Sequence, residues 1–448
     1  MVFGLVSCLA PGRRICCELL AVLLLCLGAA VNVCAQIPSE SITIGYDQAI
    51  GLAAKWILEK QYGPARQILV ELEKAYPHDP QVLFLRGQLA FEEREYQEAI
   101  EIYRRMLSGN PSLTRVRLEL ARALFAAGDF AAARYHFEIA LGQTLDAQVR
   151  ENVYAFLRAI QGRTSWLRFS AVFGVDSNPG YATDARTVDI GGLSFVLNPN
   201  ARAKKSFGTD VTAQCQYAFG EDNRNFVGGA VEYRNYAGTY ADYRALELTL
   251  GRSLVVGQAL WTVEVGPLLA DYQDKQLYHG AIVRLTNARP LGEHLLANAY
   301  VSLKRLEYPD YSYLTGTQYW VGTTLRYGLD STSAVWTSVS LGRNLARDSP
   351  YSYSSVGGTL GYSKELPARF NVQTQVSAYR NVYDEPDPLF GADRRDRLLH
   401  IDLVITARDW TFHGFAPTLT LSAAHNDSTI PLYSFSRRFG GFGLTREF

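Results

Sequence analysis

The chain has 448 residues, and its 44 Lys and Arg balance 44 Asp and Glu, which excludes a protein held on nucleic acid by a basic surface. Hydrophobic residues make up 48% and charged residues only 20%, too apolar for disorder, while a mean hydropathy of −0.07 excludes a bundle of spanning helices. With 27 Tyr, 21 Phe and 37 Gly, the composition suits a transmembrane β-barrel, in which only alternate residues meet lipid.

Residues 1–35 read as a secretory signal. Arg13 and Arg14 supply the positive flank, Leu19–Leu27 the apolar stretch, and Val33-Cys34-Ala35 a small-residue cleavage site before Gln36. The apolar run is short for a spanning helix. Five of the six cysteines (Cys8, Cys16, Cys17, Cys26 and Cys34) precede the cut. Only Cys215 remains, so the mature chain has no intramolecular disulfide and no cysteine-based metal site.

After a linker, residues 44–161 carry helical periodicity with a repeat of 34. Tyr62, Tyr96 and Phe130 share one offset; Ala65, Ala99 and Ala133 share a second; Leu69, Tyr103 and Phe137 share a third. Pro77 and Pro111 recur together, with Leu145 in the third copy, and Gly87 and Ala121 fill a small position. This pattern resembles the tetratricopeptide repeat, where small residues let paired helices approach and aromatics fill the gap to the next pair. Asp146–Ile160 then reads as a solvating cap helix. By register the concave face carries Asp47, Ile50 and Ala54, then Gln81, Phe84, Gln88 and Phe91, then Arg115, Leu118, Arg122 and Phe125. Apolar side chains with Arg at helical spacing suit an extended peptide, so the last eight are the candidate client-binding residues. The competing reading packs Phe84, Phe91 and Phe125 between helices.

From Ser165 the period switches to two. Val301 and Leu303, for example, alternate with Tyr300, Ser302 and Lys304, as a lipid-facing exterior and wet lumen require. About fourteen strands are expected between 166 and 448, the first at 166–175 and the last two at 411–426 and 435–448, with 176–205 a long loop. Tight turns such as Val256-Gly257-Gln258 and Pro290-Leu291-Gly292 alternate with several longer loops, the asymmetry of bacterial outer-membrane barrels. The predicted fold is therefore α + β in two domains: a helical solenoid over 44–161 and an antiparallel barrel over 165–448. Phe442, Leu444 and terminal Phe448 share one face of the last strand and resemble the signal read by the outer-membrane insertion machinery.

None of the seven His forms a metal-binding pair at helical spacing, and no phosphate-binding loop appears. His400 and Asp402 share a lumen face, but a hydrolase also needs a nucleophile within reach. No enzyme activity, cofactor or metal is expected.

The order of repeats and barrel, with Phe173-Gly174-Val175-Asp176-Ser177-Asn178-Pro179 ending the first strand and a Phe-terminated last strand, resembles the surface lipoprotein assembly modulators over almost the whole mature chain. The resemblance implies an outer-membrane translocator with its repeats in the periplasm. It implies partners of three kinds: a client lipoprotein or secreted protein, the insertion machinery, and outer-membrane lipid. Two alternatives stand beside it. An exopolysaccharide export porin has the same plan, and Glu232, Glu247, Glu264, Tyr300 and Trp336 would line its pore; an outer-membrane hydrolase is the other.

Overall fold

The computed structural model describes residues 44–163, 165–220, 224–238, 241–292, 294–330, 332–366, 370–408 and 410–446. The signal segment 1–35 and Phe448 lie outside the described residues. The chain divides into two units between Ala49 and Ile50, and the packing described below is that of residues 50–448.

Seven helices open the described chain. They are α1 (Tyr46–Leu58), α2 (Tyr62–Ala75), α3 (Pro80–Glu92), α4 (Tyr96–Gly109), α5 (Thr114–Ala126), α6 (Phe130–Ala140) and α7 (Ala147–Arg163). The period of 34 reappears in the backbone. Lys60, Arg94 and Gly128 each take a positive φ, of 58°, 66° and 83°. The residue after each donates its N–H to a carbonyl five residues back: Gln61 to Trp56, Glu95 to Ala90 and Asp129 to Leu124. These left-handed caps satisfy the orphaned carbonyls and turn the chain into the second helix of each pair. Asp79 starts α3 by accepting N–H bonds from Gln81 and Val82 at 2.9 and 3.0 Å, with Pro80 at the first turn. Gly87 lies under the Tyr103 ring, where a Cβ would collide, so the small and aromatic positions are two sides of one contact.

The α-helical core joins Leu83, Ile100, Tyr103, Leu120, Leu124, Phe137, Val153 and Leu157, and among the described residues Leu296 is the one hydrophobic barrel side chain packed against it. A set of helices with its own core can in principle fold alone. Residues 44–163 expressed without the barrel are therefore expected to give a helical circular-dichroism spectrum with a cooperative melt. A random-coil spectrum would show that the helices need the barrel.

The strands are β1 (Trp166–Asp176), β2 (Thr187–Ile190), β3 (Leu193–Val196), β4 (Ser206–Phe219), β5 (Asn225–Tyr236), β6 (Tyr243–Val256), β7 (Ala259–Tyr272) and β8 (Lys275–Pro290). They continue as β9 (Leu295–Glu307), β10 (Gly316–Asp330), β11 (Ser333–Ala346), β12 (Tyr353–Glu365), β13 (Phe370–Tyr383), β14 (Arg395–Ala407), β15 (Ala416–Ser428) and β16 (Phe435–Thr445). β1 and β4–β16 form a closed, fully antiparallel barrel of fourteen strands, with β1 pairing β16 to shut it. Closure satisfies every strand's backbone without water, the condition for crossing a bilayer. Val263, Val265, Val283, Leu285, Val301, Leu303, Val339 and Leu341 are exposed on the outer face. Tyr217, Trp261, Tyr327 and Tyr362 are exposed near the helical end of the wall, and Phe207 and Tyr319 near the other, as aromatic girdles are.

Two strand expectations need correction. The loop 176–205 contains the β2–β3 hairpin, turned by Gly191 and Gly192 at φ 58° and 82°. The segment 411–415 is a turn rather than strand, because Gly414 takes φ 81° and Phe412 bonds back to Phe415; β15 begins only at Ala416.

Candidate client groove and barrel mouth

All eight candidate client-binding residues, and Ile50 and Ala54 of the first repeat but not Asp47, line two adjoining hollows. The first, of about 780 Å³, is formed by α1, α3 and α5 and includes Gln81, Phe84, Gln88, Phe91, Arg115 and Arg122. The second, of about 980 Å³, lies between α5 and α7 and includes Arg115, Leu118, Arg122 and Phe125. The two arginines belong to both and form the ridge between them. Arg115 lies 4.8 Å over the Phe84 ring and Arg122 4.9 Å over Phe91, contacts each worth about 0.5–1 kcal/mol where solvent reaches them. Glu119 holds Arg122 at 2.8 Å.

The competing packing role is also realised. Phe84 packs on Tyr103 at 6.1 Å, Phe91 on Tyr96 at 5.6 Å, and Phe125 on Phe130 and Phe156 at 5.3 and 5.0 Å between centroids. All three rings are half-buried. Each fixes neighbouring helices with one part and faces a hollow with another. Helix α7 is more than a solvating cap. Val153, Tyr154, Leu157 and Ile160 are buried, Phe156 lines the second hollow, and the Tyr154 hydroxyl donates to the Gly292 carbonyl at 2.6 Å. One face completes the helical core while another rests on the short turn between β8 and β9.

Helix α6 works in two directions. Phe137 stacks on Phe156 at 4.9 Å and borders the second hollow. Arg134, Tyr135 and Glu138 instead border a polar cavity of about 500 Å³ inside the barrel, opposite Asp210, Arg326, His400, Asp402 and Arg437. The helical domain thus lies across the short-turn mouth of the barrel. Arg117, fully buried on α5, meets Glu365 at the end of β12 at 2.6 Å, with Glu365 only 5% exposed. The same guanidinium donates to the Pro111 carbonyl at 2.6 Å and lies 3.3 Å from His136 Nδ1. Asn371 donates to the Tyr135 hydroxyl at 3.0 Å, and the Arg408 guanidinium stacks 3.3 Å from the Tyr135 ring centre. Burial raises the pKa of the Tyr135 phenol and lowers that of the Arg408 guanidinium. Glu138 reaches Arg326 inside the wall at 3.3 Å. Gly142 follows, pressed so closely on the Asp330 carbonyl that a Cβ would collide. None of these barrel contacts was expected from sequence, because the partners are up to 248 residues apart.

Within the lumen, Arg284 bridges Glu247 at 2.9 Å and Glu264 at 3.1 Å. Glu232 pairs with Arg234, and Trp336 lies 5.7 Å under Arg326. The acidic and aromatic residues that would suit a sugar path are thus matched by wall arginines, while Tyr300 borders a 410 Å³ cavity beside Lys304. His400 and Asp402 do meet, at 3.3 Å, with Gln375 donating to the same carboxylate at 3.0 Å. Among the described residues no hydroxyl or thiol is bonded to His400. On the outer face Phe442 and Leu444 are 72% and 49% exposed. The Arg446 N–H continues the strand to the Phe169 carbonyl at 2.7 Å, and its side chain lies 5.9 Å from the Phe415 ring.

Two family models match: surface lipoprotein assembly modifier over residues 255–441, and that family's N-terminal TPR repeats over residues 54–137. Surface lipoprotein assembly modifier 1 of Haemophilus influenzae is 23% identical over 391 residues, covering 84% of this chain and 79% of the relative. Its namesake in Neisseria meningitidis is 24% identical over 407 residues, covering 84% and 78%. Among solved structures, the outer membrane channel DcaP of Acinetobacter baumannii aligns with 64% of this chain and 96% of its own at 10% identity and a TM-score of 0.36. OprD of Pseudomonas aeruginosa aligns with 63% and 92% at 9% identity and a TM-score of 0.34.

Proposed function

Because the chain belongs to the surface lipoprotein assembly modifier family, we propose that it delivers particular lipoproteins or related secreted proteins to the bacterial cell surface. The helical domain stands in the periplasm and captures the client in the paired hollows. The barrel, inserted in the outer membrane, provides the client's route or docking site. Residues 1–35 direct export, and the outward Phe442 and Leu444 with Phe448 form the signal for barrel insertion.

The observation that carries this reading is helix α6. Its Phe137 borders the groove while Tyr135 and Glu138 border the lumen, so a segment bound in the groove lies one helix away from the barrel mouth. The arginine pairing of Glu247 and Glu264 leaves less free acidic surface for a sugar polymer.

Gene deletion followed by surface proteolysis tests the proposal. One or a few lipoproteins should lose surface exposure while their cellular amounts persist, and the intact gene should restore them. Loss of surface polysaccharide with every surface protein retained would select the export porin instead.

A further inference from the structure

At the loop end of the wall, β1 stops short of the β16 strand it pairs with. β1 pairs with β4 along its whole length, eleven residues from Trp166 to Asp176. With β16 it pairs over Ser170–Asp176 against Phe439–Thr445, and the Arg446 N–H carries the pairing on to the Phe169 carbonyl at the end of the described residues. On the loop side β1 stops at Asp176, while β16 continues for four residues beyond Phe439, back to Phe435, paired only with β15.

The segment Asp176-Ser177-Asn178 spans that gap. Asp176, wholly buried, forms an ion pair with Arg437 at 2.6 Å and accepts from the Tyr236 hydroxyl at 3.0 Å. The Ser177 hydroxyl accepts from the Arg438 N–H at 2.8 Å, and the Ser177 N–H donates to the Arg438 carbonyl at 2.9 Å. Asn178 Nδ2 donates to the Ser436 carbonyl at 3.0 Å. Three side chains and one backbone bond, rather than a continued strand, thus close the loop end of this seam. Opening any seam exposes unpaired backbone to lipid, so a seam whose loop end is held by a short segment rather than by a full ladder parts there at lower cost.

A lipoprotein client presents a second difficulty. Its acyl chains must reach the bilayer, yet the lumen carries Arg284, Glu247, Glu264, Lys304 and Arg326, all unfavourable neighbours for hydrocarbon. We propose that the β1–β16 seam, clasped by Asp176, Ser177 and Asn178, is the lateral exit through which the acyl chains of a client lipoprotein pass from lumen to outer leaflet. This assignment presumes the lipoprotein client proposed above.

The test locks the seam in the full-length protein with Cys215 replaced by Ser. Val175→Cys with Gly440→Cys joins register partners across the seam, and a Cβ at Gly440 meets only the Leu421 side chain, at 3.3 Å. Val283→Cys with Leu303→Cys joins register partners of the β8–β9 wall as a control. Cells are fed an alkyne-tagged palmitate, and the tagged protein that surface protease can reach is measured after oxidation and again after reductant. Oxidation of the seam pair should lower it by about tenfold, reductant should restore it, and the control pair should leave it unchanged. Undiminished display with a fully oxidised seam would overturn the proposal. So would equal loss, read by immunoblot, of the same client lacking its lipid-bearing cysteine, since an acyl exit has no bearing on an unacylated chain. Parent cells separate the two readings: if gene deletion leaves tagged display intact, the lipoprotein function fails rather than the seam.

Discussion

Glu365→Ala is expected to turn a closed barrel into a conducting one. The substitution leaves the Arg117 guanidinium buried and without its 2.6 Å carboxylate partner, a change that costs about 3–5 kcal/mol in buried pairs. That cost falls on the docked arrangement, because undocking returns Arg117 to water. The helical domain should therefore leave the mouth for a large fraction of the time while its own core stays folded. Planar-bilayer recording should show frequent open events absent from the parent protein, and cells should become sensitive to vancomycin. Arg117→Leu combined with Glu365→Leu removes both charges and should restore closure, since apolar replacement of a buried pair is often neutral. A folded Glu365→Ala barrel, verified by heat-modifiable mobility, that stays non-conducting would show that this contact does not hold the mouth shut.

Reversing both groove arginines should abolish most client display without touching the barrel. In Arg115→Glu with Arg122→Glu, carboxylates replace the cations that lie over Phe84 and Phe91, and ring faces repel negative charge. They also join Glu92 and Glu119, which line the same hollow. Reversing two charges that a bound segment would meet in this groove amounts to about 2 kcal/mol, or roughly 30-fold in client affinity. Surface display of the client should fall accordingly, whereas Glu264→Ala in the lumen should leave client capture by the full-length protein intact. Unchanged display in the double variant would remove the groove from the mechanism.

Much of this architecture was written in local periodicity. A 34-residue repeat fixes which residues are small and which aromatic, so the concave face could be read by register, and ten of the eleven residues read there, all but Asp47, border the two hollows. Alternation with period two marked the strands for the same reason, since each side chain's face follows from its neighbour's. Pattern reading failed where backbone conformation, not hydrophobicity, decides. Phe412 and Phe415 looked like strand residues, yet Gly414 at φ 81° folds them into a turn.

What the sequence by itself determined is the set of elements and the faces they present. Only the tertiary structure decided how those faces are used. Nothing near Arg117 distinguishes it from Arg115, two residues earlier; one is buried against Glu365 and the other lies over Phe84 in the groove. Nothing in Asp176-Ser177-Asn178 predicts a clasp, because its partners Ser436, Arg437 and Arg438 come some 260 residues later and are brought alongside only when β16 closes on β1. Periodicity records what one residue needs from solvent, lipid or core. Pairings between distant charges leave no periodic trace, and they exist only once the barrel has closed and the helices have settled across its mouth.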